Sequence, residues 1–261
     1  MSALFLKLIA LITMLVDHTA ACMNRAGLLA AGNPYGLIVY EGNFSLYWLM
    51  RVIGRLAFPI FCFQIVEGAM HTRNKGYYAV RIGLLAVISE VPFDFALHAA
   101  VPYWGGQNVF ITLLLGLLLV YELQWADSQS GKVRIIGYIA YPVLVAGVGV
   151  VCRELLKNDY NMAGILMIAT FGLLSLERVQ RLEWRLASRI VRIVVVAVGM
   201  MLCVAFTNDF ESWCFFSLIP IALYNGQKGY ESKVFQYGAY LFYPVHLTIL
   251  GLIFVLPKML P

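Results

Sequence analysis

Ionisable side chains stand inside stretches that are otherwise apolar enough to enter a bilayer: Asp17 and His18, then Arg51, Arg55 and Glu67, then Glu90 and Asp94, and last His246. A charge at membrane depth costs about 3 kcal/mol or more unless it is paired or hydrated, so such residues mark a functional interior. Their types suit proton transfer and anion binding. A histidine among apolar helices can act as general base, with a carboxylate stabilising its protonated form. Asp17 and His18 are adjacent, so on a helix they point about 100° apart and need not bond each other. The plainer reading of the pair is an interhelical hydrogen bond. Arg51 and Arg55, four apart, share a helix face and repel unless they meet carboxylates or an anionic ligand. Glu90 and Asp94, also four apart, are the obvious partners. This gives either a structural ladder or one paired arginine beside another that faces a phosphate or a developing oxyanion. Tyr243 and His246, three apart, share a face.

No glycine-rich phosphate loop, GxSxG elbow or HExxH metal motif is present. The five cysteines (Cys22, Cys62, Cys152, Cys203 and Cys214) show no CxxC or Cys/His spacing, so no metal is expected. Cys62 and Cys203 read as small core residues; a disulfide among the other three is conceivable but has no support in the spacing.

The elements that must position these residues are membrane helices. Of 261 residues 61% are hydrophobic and 13% charged, outside the range of a soluble domain. No stretch is polar enough to fold apart from the rest, so residues 1–261 read as one membrane-embedded domain. At about 20 apolar residues per crossing, the expectation is an all-α polytopic bundle of about nine transmembrane helices around a polar interior cavity. The spans are 3–23, 44–70, 77–99, 107–126, 134–153, 160–177, 190–207, 211–226 and 234–256. The short eighth, with Pro220, is the weakest. Long continuous apolar runs exclude the period of two of a barrel strand. Lys7 followed by an apolar run and Ala20-Ala21-Cys22 imitates a lipoprotein signal. Asp17 and His18 interrupt that run, so 3–23 is read as a retained span.

The net charge of +5 resides in loops and does not imply nucleic acid. Arg73, Lys75 and Arg81 flank the second loop, Lys132 and Arg134 the fourth. Arg178, Arg181, Arg185, Arg189 and Arg192 lie around the sixth, Lys228 and Lys233 the eighth; the odd loops hold only Arg25, Arg153 and Lys157. The positive-inside rule then predicts an internal N-terminus and an external C-terminus. The arginine run 178–192 is a topology anchor, or more sharply a site for an anionic lipid headgroup. On this orientation Asp17, His18, Arg51, Arg55, Glu90 and Asp94 lie in the outer half. Gln107 and Asn108 open the fourth span from outside, Tyr243 and His246 lie near mid-depth, and Glu67, with His71 nearby, lies inside. Pro59, Pro92 and Pro244 should kink their helices beside these charges.

Several strings resemble the TraX family of membrane proteins. They are Leu6-Lys7-Leu8-Ile9-Ala10 leading to Met14-Leu15-Val16-Asp17-His18, and Ile53-Gly54-Arg55-Leu56-Ala57-Phe58-Pro59-Ile60-Phe61 continuing to Glu67-Gly68. Thr72-Arg73-Asn74, Ile88-Ser89-Glu90-Val91-Pro92-Phe93-Asp94 and Gln107-Asn108-Val109-Phe110-Ile111-Thr112 follow, then Asp159-Tyr160 and Phe242-Tyr243-Pro244-Val245-His246. The matches run in order from end to end. The family often has glycine after Asp-Tyr, where this chain has Asn161.

The resemblance implies an acetyltransferase that moves an acetyl group from cytoplasmic acetyl-CoA to the N-terminal amine of a conjugative pilin subunit, or to another envelope acceptor. It implies a multi-pass protein of the bacterial cytoplasmic (inner) membrane, in contact with lipid, and a distant likeness to polytopic acyltransferases with a histidine in an early helix. Expected roles are His18 as general base, Asp17 supporting its charge, His246 as reserve base and Glu90 as a further acid–base group. Arg51, Arg55, Asp94, Gln107, Asn108, Tyr243, Glu67 and Arg73 are expected to contact donor or acceptor. Two other classes stay open: a proton-coupled transporter of a small anionic solute, and a non-enzymatic pilus or envelope assembly factor. A transporter would bury the same residues, although the two halves of the chain show no repeat.

Overall fold

A computed structural model describes residues 1–28, 39–40, 43–44, 46–182, 185–230 and 232–259. Ser45 of the expected second span, and the side chains of Arg185 and Lys233, lie outside the described residues. Helix dominates: α1 (Ala3–Arg25), α2 (Leu46–Gly54), α3 (Ala57–His71), α4 (Lys75–Phe93), α5 (Val109–Ser128) and α6 (Gly131–Val151) fill the first part. Then come α7 (Asn161–Gly172), α8 (Glu177–Gln180), α9 (Arg185–Ala205), α10 (Leu218–Ala222), α11 (Lys233–Leu250) and α12 (Leu256–Met259). Between α1 and α2, β1 (Val39–Tyr40) and β2 (Asn43–Phe44) pair antiparallel, Val39 opposite Phe44.

Among the described residues six stretches are helical, long and apolar enough to cross a bilayer: Ala3–Arg25, Leu46–His71, Val109–Ser128, Gly131–Leu156, Ala187–Ala205 and Val234–Met259. The other three expected spans differ for separable reasons. Residues 77–99 do form a helix, α4 with a π turn at Asp94–His98, but Arg81, Glu90 and Asp94 leave it too polar for that set. Residues 160–177 give a shorter apolar helix, Asn161–Ser175. Residues 211–226 are not one α-helix: a 3-10 segment, Asp209–Ser217, leads into the five-residue α10.

Of the three prolines expected to kink their helices, one adjoins a break. Pro59 lies in the first turn of α3, where a missing N–H is harmless, and the bend falls just before it, at Arg55 and Leu56. Pro92 and Pro244 remain inside α4 and α11. The core is apolar and central: Phe63 of α3, Leu117 of α5, Met167, Ile168 and Phe171 of α7 and Met200 of α9 are all fully buried. By contrast α6 turns Ile135, Ile136, Ile139 and Val143 outward, as suits a helix facing lipid. Small residues let helices close in. A Cβ on Gly199 would meet the Phe171 ring at 2.6 Å, and one on Gly54 would meet Asp17 Oδ1 at 2.1 Å.

Candidate active site

The close approach at Gly54 seats the first polar cluster. Helix α1 presents Asp17 over the gap left by that glycine, and the two carboxylate oxygens divide between two guanidiniums. Oδ2 accepts from Arg51 Nη1 at 2.7 Å and Oδ1 from Arg55 Nη2 at 2.9 Å. Arg55 carries a second ion pair, from Nη1 to Glu211 Oε1 in the 3-10 segment. Both side chains of that second pair are 8% exposed, and Arg51 is 25% exposed. Two guanidiniums and two carboxylates thus neutralise one another in a buried row, which is what burial requires of them.

His18 leaves α1 in a different direction and meets α11. Its Nδ1 lies 2.7 Å from His246 Nε2, and His246 Nδ1 lies 2.6 Å from the Phe242 carbonyl oxygen. The two imidazoles are nearly coplanar, 5° apart, with centroids separated by 5.0 Å. That is the geometry of an in-plane hydrogen bond rather than of stacked faces. With both rings neutral the protons are assigned by their partners. A carbonyl can only accept, so His246 carries its proton on Nδ1 and accepts at Nε2. His18 therefore donates from Nδ1, and its Nε2 is left with a free lone pair. Tyr243 closes the group from one side, its ring edge-on to His18 at 5.6 Å and to His246 at 5.7 Å.

These groups border a chamber of about 290 Å³, lined by Asp17, His18, Arg51, Arg55, His98, Asp159, Tyr160, Tyr243 and apolar residues between them. Asp159 and Tyr160 enter it on a connection with unusual backbone. Lys157, Tyr160 and Asn161 have φ of 52°, 57° and 24°, a region that favours glycine and is tolerated by asparagine. Tyr160 stacks on Phe58, centroids 3.7 Å apart. The Asp159 side chain is exposed at the chamber, but the protein packed around that chamber displaces bulk water and pushes its carboxyl up to about 6, with Glu211 and Asp17 adding to the rise against the opposing pull of Arg55 and Arg51.

The remaining expected site residues lie elsewhere. Glu90 and Asp94 do not pair with Arg51 and Arg55, because α4 packs on α5 and α11 and turns its carboxylates toward the chain entering α5. Glu90 Oε2 accepts from Asn108 backbone N–H at 3.2 Å and from its side-chain amide; Asp94 Oδ2 accepts from Tyr103 N–H at 2.7 Å. Asn108 donates to the Ala86 carbonyl at 2.7 Å and caps α5 by accepting from Phe110 N–H at 3.0 Å. Gln107 docks through its backbone, its carbonyl accepting from Asp159 N–H at 2.8 Å. These four staple the loops behind the chamber and are not among the residues lining it. Glu67 accepts from Tyr224 hydroxyl at 2.9 Å and lines a second cavity. Arg73 is exposed in the turn before α4 and lines neither.

That second cavity, about 540 Å³, meets the chamber along Met14, Phe61, Val109 and Tyr243. Sequence reasoning missed Glu211 and Asp159 as site residues. Glu211 stands with Asp209 at the start of an apolar run, which is the signal that could have found it. The cysteines are all free and buried, and among the described residues no three His, Cys, Asp or Glu side chains gather as metal ligands.

Comparison with known proteins places this architecture. The chain is 28% identical over 263 residues, covering 95% of it and 94% of the relative, to the probable fimbrial assembly protein FimC, serogroup H1, of Dichelobacter nodosus. No solved structure matches. The family model described as TraX protein matches residues 2–254, and the chain belongs to the TraX family.

Proposed function

We propose that this protein is a multi-pass acetyltransferase of the bacterial inner membrane. It moves an acetyl group from cytoplasmic acetyl-CoA to an external acceptor, the N-terminal amine of a pilin subunit. The observation that carries the reading is the His18–His246–Phe242 carbonyl chain, which leaves one basic nitrogen at a chamber walled by guanidiniums. The pilus connection rests on the family and on the relative named as a fimbrial assembly protein.

In the step envisaged, the acceptor nitrogen attacks the thioester carbonyl carbon. The C–N bond forms, the C–S bond breaks, His18 Nε2 takes the proton released by the nitrogen, and that proton passes to the departing thiolate. The products are an acetamide and free CoA. His246 holds the base in its working tautomer, much as an orienting group does in a catalytic triad. Arg51 has a single carboxylate bond and donors to spare for the oxyanion, whereas Arg55, held by Asp17 and Glu211, is the fixed post of the site.

We read nine crossings, with the N-terminus internal and the C-terminus external. Supporting this, the 209–224 segment runs beside α2 and α3 from the Arg55–Glu211 pair to the Glu67–Tyr224 bond, a depth of about 18 Å along a helix. The polar interior is the chamber and its neighbouring cavity together. That two cavities abut also favours, as a second reading, a proton-coupled transporter of a small anionic solute. The discriminating experiment reconstitutes the protein in liposomes with acetyl-labelled CoA and a pilin peptide and follows the peptide mass. A gain of one acetyl group supports transfer; label crossing the membrane unattached, with the peptide unchanged, supports transport.

A further inference from the structure

The larger cavity contains an arginine that stands apart from the ion-pair row. Arg81, on α4, is cushioned by three tyrosines, its guanidinium carbon 5.7 Å, 5.4 Å and 4.7 Å from the ring centroids of Tyr77, Tyr78 and Tyr240. Aromatic faces stabilise a cation but leave its in-plane N–H donors unspent. No carboxylate pairs with Arg81 among the described residues, and its Nε is buried without a hydrogen-bond partner. The charged residues of the cavity wall are Lys7, Arg81 and Lys228 against Glu67 alone, and Glu67 is engaged by Tyr224. A half-buried guanidinium with open donors in a cation-rich cavity is a site for phosphate oxygens.

The cavity then changes character. Past Arg81 its wall becomes Leu11, Met14, Phe61, Val109 and Phe110, and it ends at Tyr243, which it shares with the chamber. Tyr243 is 3% exposed and its hydroxyl proton meets no acceptor. From Arg81 the path runs 4.7 Å to Tyr240, one three-residue step along α11 to Tyr243, and 5.6 Å on to the His18 ring. With about 5–6 Å for the helical step, the whole is on the order of 15 Å. A pantetheine arm has the bond count of roughly four extended residues, about 14 Å.

We propose that Arg81 binds the diphosphate of a CoA-class thioester, that the arm lies along this apolar throat, and that the Tyr243 hydroxyl donates to the thioester carbonyl where the two cavities meet. This rests on the acetyl-transfer reading and assigns its donor a place.

The test is equilibrium binding to the full-length protein in phosphatidylcholine nanodiscs, using acetyl-CoA and acetyl-pantetheine, which has the same arm without the nucleotide phosphates. Arg81→Gln should weaken acetyl-CoA binding at least about tenfold, the scale of a lost charge-assisted contact, and leave acetyl-pantetheine within about twofold of wild type, which also reports an intact fold. Arg81→Lys, keeping the charge but losing the planar fork, should recover part of the loss. Equal weakening of both ligands, or none of either, overturns the assignment while the transfer reading stands. Unchanged acetyl-CoA binding with loss of co-purified phosphatidylglycerol also overturns it and makes Arg81 a lipid headgroup site. Wild-type protein that binds no acetyl-CoA overturns both.

Discussion

His18 Nδ1 and His246 Nε2 are 2.7 Å apart, so helices from opposite ends of the chain close on one hydrogen bond. Because His246 is itself bonded to the Phe242 carbonyl, the two histidines are not equivalent: one exposes a lone pair and the other fixes its direction. His18→Ala should lower acetyl transfer by about 10²–10⁴-fold, the range of a lost general base. His246→Ala should cost less, because the base survives without its orientation. Initial rates with labelled acetyl-CoA rank the two, and the reverse order would make His246 the base.

The ion-pair row predicts unequal costs. Arg55→Met leaves Asp17 facing only Arg51 and removes the guanidinium that pairs with Glu211, and should destabilise by about 3–5 kcal/mol. Arg51→Met should cost clearly less, since Asp17 keeps Arg55 and Arg51 is the more exposed. Denaturation of the purified protein in mixed micelles measures both. Equal losses would mean that Arg55 is less committed than its contacts indicate.

Gly54→Ala places a methyl group 2.1 Å from Asp17 Oδ1 and must push the carboxylate out from between the arginines. A loss of about 1–3 kcal/mol is expected from overpacking. Gly147→Ala is the control. A Cβ there meets nothing within 4 Å, so thermal midpoint should hold or rise.

Asp159 supplies a pH signature. Displacement of bulk water raises its carboxyl from 3.8 to about 6, so the folded state favours the protonated form. That contribution to stability is complete below about pH 4 and is lost as pH rises through about 6. Asp159→Asn, permanently neutral, should therefore gain in thermal midpoint relative to wild type at pH 8, with the gain shrinking toward pH 4. A gain independent of pH would place the carboxyl in an ordinary environment.

Orientation is open to direct assay. Reporter fusions after Ser128 and at the C-terminus should give opposite signals, internal and external. Matching signals would mean that one of the two less apolar segments beyond Ser128, 160–177 or 211–226, does not cross.

The sequence marked His18, Asp17, Arg51, Arg55 and His246 because each breaks an apolar run, and that signal survives without knowledge of packing. Partners were less legible. Asp17 and His18 diverge by the 100° of one helical step, which sends one to α2 and the other to α11, and nothing in the spacing says which helix stands where. Glu90 and Asp94 had the right spacing for the arginines but the wrong neighbour, since α4 faces α5. Glu211 was hidden in a segment that folds as a 3-10 helix, outside the 3.6-residue pattern used to read the rest. Asn161 is the reverse case: at the position where the resemblance leads one to expect glycine, the residue has φ of 24°, a backbone that glycine adopts most readily.

The row Arg51–Asp17–Arg55–Glu211 has an electrical consequence. A single charge crossing the membrane field gains or loses about 2.3 kcal/mol per 100 mV, but two cations and two anions held within hydrogen-bond distance of their neighbours sum to zero. A voltage exerts almost no net force on such a set. The row can therefore keep its geometry as the field across it changes.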